Sequence, residues 1–183
     1  MLRIVKAEEK HIPDIRDLWI EFLKYSEEFH PVFAVGEGAA EHMEKNFLRP
    51  ALQDKDQLVL IALDEAGASD YAVAMIKERL PKKYDFVTGV IEHLFVAQGC
   101  RRQGVGGQLY AEVIKWFKAA GINRVEVQLL AKNKAACAFW KKHAYGDFEH
   151  IWKREIQVYS NYLLGSKPSN SRKVPLGDIT PLC

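Results

Sequence analysis

The stretch Gly99-Cys-Arg-Arg-Gln-Gly-Val-Gly-Gly107 constrains this chain more than any other, with glycine at four of its nine positions. It follows an apolar run, Phe86 to Val96, that reads as a strand. After it, Val105, Leu109, Val113, Trp116, Phe117 and Ala120 share one helical face, while Gln108, Glu112, Lys115 and Lys118 take the other. Glycines let a backbone approach a ligand closely, and a first helical turn offers unpaired N–H groups at the positive end of the helix dipole. Strand, loop and helix together make an anion site suited to phosphate or pyrophosphate, with Arg101 and Arg102 adding charge at its mouth. An ordinary glycine-rich turn fits the glycine content equally well.

The remaining periodicities place this unit in an α/β domain. Met1 to Ala7 is a short opening strand. Ile12, Ile15, Trp19, Phe22, Leu23 and Phe29 recur at helical spacing from about His11, with Pro13 in a first turn and Pro31 as the stop. Met43, Phe47 and Leu52 predict a second helix over 39–52. The continuous run Leu58 to Leu63 reads as a buried strand, with Tyr71 to Leu80 as its antiparallel partner. Gly121 is placed to cap the amphipathic helix. A strand over Arg124 to Leu130, a short helix over Asn133 to His143 and a closing strand over Phe148 to Val158 complete a mixed, largely antiparallel sheet. The composition beyond Gly165 turns to Ser, Pro, Lys, Asn and Gly. The expected division is a domain over 1–158 and an extension, partly disordered, over 159–183.

Composition excludes several classes. Among 183 residues, 26 Lys and Arg against 24 Asp and Glu leave a net charge of +2, which is not the balance of a polybasic nucleic-acid binder. Three cysteines without paired spacing give no disulfide framework, and six scattered histidines give no metal-ligand spacing. No apolar run reaches the ~18 residues of a membrane span, and the first residues do not read as a leader. The expectation is a cytoplasmic protein with neither nucleic-acid nor membrane partner and no metal.

Two phosphate-binding motifs fail at the loop. Gly99 and Gly104 have P-loop spacing, but Val105-Gly106 stand where lysine and a hydroxyl are required. A dinucleotide fingerprint needs a third glycine where Leu109 falls, and no βαβ unit precedes it. The arrangement Arg101-x-x-Gly104-x-Gly106, entered from Glu92-His-Leu-Phe-Val96, resembles the acyl-CoA signature of the GNAT superfamily of N-acetyltransferases. Asn133-x-x-Ala136-x-x-Phe139-Trp140-x-x-x-Ala144-Tyr145 resembles that family's second block, at the expected distance downstream. The resemblance covers about residues 1–158. It implies a GNAT-type sheet flanked by helices on both faces and acetyl-CoA as co-substrate. It also implies that the pyrophosphate sits on Arg101, Arg102, Gln103, Gly104, Val105 and Gly106, and that the pantetheine arm pairs with Leu94, Phe95 and Val96. Asn133 would contact the cofactor, cap a helix, or do both.

Acetyl transfer to an amine needs the amine neutral, and a free alkyl amine has a pKa of about 10.4. Glu92, just before the cofactor segment, is the candidate base; its alternative is a structural carboxylate paired with a nearby cation. Many relatives carry tyrosine at the position of Trp140, where a hydroxyl protonates the departing sulfur. Indole N–H is no useful acid, so Trp140 reads as a packing residue or a pocket wall. Tyr145, His143 or water would substitute, or the thiolate would leave unprotonated. Glu92 and Tyr145 are the two candidate catalytic residues. A primary amine, on a small molecule or a protein, would enter beside the first two helices, near Tyr25, Glu27, Glu28, Phe29 and Phe33. A homodimer is possible, and a catalytically silent acyl-CoA sensor is the rival reading.

Overall fold

The computed structural model describes residues 2–65, 67–78 and 87–147. Among the described residues, five strands form one sheet in sequence order: β1 (Arg3–Lys6), β2 (Gln57–Asp64), β3 (Gly67–Glu78), β4 (Val87–Val96) and β5 (Val125–Val127). The first four pair antiparallel and β5 joins β4 in parallel, so the sheet is mixed and largely antiparallel, as the sequence leads one to expect. The expected closing strand and the terminal extension lie outside the described residues.

The apolar run of β2 is continuous because both faces of the strand are covered. Val59 and Ile61 pack with Tyr71, Val73 and Phe95 under Ile12, Ile15 and Leu18 of α1 (Ile12–Glu27). Leu58, Leu60 and Ala62 pack with Ala72, Ala74 and Ile91 under Val105, Leu109, Val113 and Phe117 of α4 (Val105–Ala119). Trp140 of α5 (Lys134–Lys142) joins this second core.

The predicted helix over 39–52 is three pieces: α2 (Ala39–Met43), a π-helical turn (Glu44–Leu48) and α3 (Arg49–Gln53). The wider turn moves the buried face, so Met43, Leu48 and Ala51 enter the core. Phe47 and Leu52 are only partly buried against it. The strand predicted over 124–130 contracts to three residues because its pairing with β4 stops there.

Candidate functional site

The parallel pairing of β5 with β4 covers Gly89, Val90 and Ile91 and goes no further. β4 runs on through Leu94, Phe95 and Val96, which pair with Ala72, Tyr71 and Asp70 of β3 on the other side. Among the described residues, no strand pairs with that segment on its β5 side. A strand edge of alternating N–H and C=O groups therefore lines a wedge between the ends of β4 and β5. Asp70, fully buried, accepts the Ala97 N–H at 2.9 Å and fixes the exit of β4 into the glycine-rich loop.

A β-bulge lies beside the wedge. His93 pairs with Val73 and Ile91 with Ala74, leaving Glu92 as the extra residue. Ile91 and Phe95, four apart, would share a face in a regular strand; here they belong to opposite cores. Glu92 accepts a hydrogen bond from Lys77 Nζ, so its carboxylate is ion-paired across the β3–β4 ladder. The His93 ring lies 5.3 Å from Phe22, 5.5 Å from Phe47 and 5.9 Å from Tyr71, centroid to centroid. Burial lowers its pKa from 6.5 to about 4 against the opposing pull of Glu92, so the imidazole is neutral at neutral pH. Its Nδ1 and the Tyr71 hydroxyl are buried without hydrogen-bond partners among the described residues.

The glycine-rich loop turns through a short 3₁₀ segment, Gln98–Cys100, and two left-handed residues, Arg102 (φ 68°) and Gly104 (φ 87°). Gly104 begins α4 without a side-chain cap. The first backbone bond into the helix runs from Gln108 N–H to Gly104 O at 3.1 Å, so the first-turn N–H groups face outward without helical acceptors. A Cβ on Gly106 would lie 3.3 Å from Val96 Cγ2, which shows how closely helix and strand end approach. Gln103 Nε2 donates to Gly99 O at 3.1 Å, tying the loop to itself.

Two side chains border the wedge. Arg101 donates from Nε to Val96 O at 3.0 Å, and its guanidinium carbon lies 4.3 Å from the Tyr25 ring centroid. Asn133 caps α5, accepting the Ala136 N–H on Oδ1 at 3.0 Å, and the same oxygen accepts the Tyr25 hydroxyl at 3.4 Å. Its capping role is therefore directly visible, and its NH₂ group is left to donate elsewhere.

Tyr145 belongs to the aromatic cluster of α4 and α5. It packs against Trp140 at 5.1 Å and Tyr110 at 6.2 Å, among the partly buried residues of the α4–α5 core. Burial and a hydrogen bond with Tyr110 raise its pKa well above 10, making it a weaker acid than a free phenol. Trp140 is 7% exposed and packs in that core. Sequence pattern alone does not single out Lys77 or His93; a titratable residue directly after Glu92 in an apolar strand is the one signal for His93.

Residues 13–145 match the acetyltransferase (GNAT) family. The chain belongs to that family. It is an acyltransferase by that membership. Among solved structures, a tetramutant protein of Bacillus halodurans is similar at TM-score 0.72 and 19% identity, over 84% of this chain and 99% of that one. An aminoglycoside N-acetyltransferase in complex with CoA is similar at TM-score 0.65 and 18% identity, over 86% and 96%. Glucosamine-6-phosphate N-acetyltransferase from Arabidopsis thaliana is similar at TM-score 0.61 and 18% identity, over 86% and 99%. These likenesses show that the acetyltransferase has the fold of its family. A search of curated proteins finds no match. No described helix of the acetyltransferase is long and apolar enough to cross a membrane.

Proposed function

We infer that the protein transfers the acetyl group of acetyl-CoA directly to a primary amine while both are bound. The observation that carries this reading is the wedge: a free β4 edge leading into an uncapped α4 N-terminus. An extended pantetheine arm suits the edge through main-chain hydrogen bonds at Leu94, Phe95 and Val96. A pyrophosphate suits the first turn of α4 and the backbone of Arg101 to Gly106, with the edge of the Arg101 guanidinium beside it. The Asn133 NH₂ group suits an amide carbonyl of the same arm. Acetyl-CoA supplies an activated acyl carbon, and the relatives solved with CoA support it as the co-substrate.

The residues of this chain then have a proton to manage. Glu92, ion-paired with Lys77, accepts the amine proton directly or through one water as the nitrogen attacks the acyl carbon. The C–S bond breaks and the thiolate leaves. An alkyl thiol has a pKa of about 8.5, so it departs without a strong acid and takes its proton from solvent. Tyr145 holds its proton too tightly to be the preferred donor.

Release of free CoA thiol, followed across amines, amino acids and peptides, tests the reading. Glu92→Gln should lower kcat/KM by about 100-fold and flatten its pH profile. The fold should survive, because a partly exposed ion pair contributes roughly 1 kcal/mol or less. An unchanged rate and profile would remove Glu92 from the mechanism. Trp140 in place of tyrosine favours the sensor as a second reading; tight CoA binding with no turnover on any acceptor would select it.

A further inference from the structure

Tyr25 occupies the last turn of α1, on the side of the sheet away from α4 and α5, yet it touches both borders of the wedge. Its ring receives the Arg101 guanidinium on the β4 side, with the guanidinium carbon 4.3 Å from the ring centroid. Its hydroxyl donates to Asn133 Oδ1 on the α5 side, at 3.4 Å. Phe29 packs edge-on against the same ring at 5.2 Å, and Phe95 adds a second aromatic face 5.9 Å from the guanidinium. One side chain of α1 thus spans the mouth of the groove.

We propose that Tyr25 is a positioning residue for the cofactor, acting through Arg101 and Asn133. The proposal rests on the CoA reading above. The ring holds the guanidinium carbon close and Nε is committed to Val96 O, which leaves the two terminal NH₂ groups to donate to a phosphate. On the other border, Asn133 Oδ1 is held by two donors, the Ala136 N–H and the Tyr25 hydroxyl. That fixes the amide so that NH₂, not oxygen, is presented to a ligand. A long, flexible arginine is otherwise costly to order, and the ring removes part of that cost before the ligand arrives. The two arms are separable, because phenylalanine keeps the face and loses the hydroxyl.

The experiment is calorimetric titration of the full chain with coenzyme A itself, arranged as two double-mutant cycles. Tyr25→Phe should weaken CoA binding about two- to fivefold, and Tyr25→Leu about tenfold. In an Arg101→Ala background, Tyr25→Leu should cost about twofold or less. In an Asn133→Ala background, Tyr25→Phe should cost nothing measurable. Such loss of effect in the second background is the coupling a positioning role requires, and a merely structural role would not produce it. Full-strength, additive costs in both backgrounds overturn the proposal while leaving the CoA reading intact. So does wild-type affinity in Tyr25→Leu. Wild-type protein that binds no CoA overturns both. Tyr25→Phe keeps the test sound should Tyr25→Leu fail to fold.

Discussion

Burial among Phe22, Phe47 and Tyr71 lowers the His93 pKa from 6.5 to about 4, so folding releases any proton the unfolded imidazole carries. Between those values the unfolded chain binds more protons than the folded one, and stability rises with pH through the window. The protein should therefore lose up to about 3 kcal/mol as pH falls from 6.5 to 4 on account of this residue alone. Urea unfolding at pH 7 and pH 5 checks this, with His93→Phe as the control that should lose less on acidification. An equal loss in both proteins would assign the effect elsewhere. The sequence does not reveal this histidine's environment, because its cage comes from α1, from the π turn and from β3. Asn133 is different. Its local pattern, an asparagine before a short apolar helix, already contains the capping role, and only the Tyr25 contact from 108 positions away is invisible.

At the scale of elements, what the sequence shows depends on whether the partner is local. The helix over Val105–Ala119 and the strand over Gln57–Asp64 follow from periodicity, because their buried faces are written in their own residues. The bulge at Glu92 changes which residues face which core, and nothing in the alternation of β4 announces it. Apolar alternation over 124–130 overstates β5 for the same reason: its pairing with β4 ends at Val127, and Leu129 beyond it is 41% exposed. Gly89 carries a packing demand that its neighbours do not disclose. A Cβ there would lie 2.6–2.8 Å from three ring atoms of Phe117, which is itself 1% exposed and cannot withdraw. Gly89→Ala should destabilise the fold by about 1–3 kcal/mol in chemical denaturation. Phe117→Leu, costly by itself, should cost less on top of Gly89→Ala than alone, because the methyl fills part of the space the ring leaves. Strict additivity would show that Gly89 and Phe117 do not compete for that space.

For the molecule as a whole, the two cores lock the sheet on both faces, and among the described residues the wedge leaves the end of β4 unpaired on its β5 side. A ligand that adds a strand there completes the hydrogen bonding of β4 and joins it to the α4 N-terminus in one step. Any ligand that binds only the folded form stabilises it by mass action, by about 2.7 kcal/mol at a hundredfold excess over Kd. For a domain of this size that corresponds to a Tm increase of roughly 5–10 °C. CoA should produce this shift and should slow amide exchange within Leu94 to Val96, at the N–H groups facing the wedge, as well as at Val105 to Gly107. The nucleotide half of CoA alone, lacking the pantetheine arm, should slow exchange at the start of α4 and leave the β4 edge fast. Those two patterns separate loop binding from strand addition. If full CoA protects only the loop, the arm does not pair with β4, and the acyl carbon is not delivered along the strand that carries Glu92.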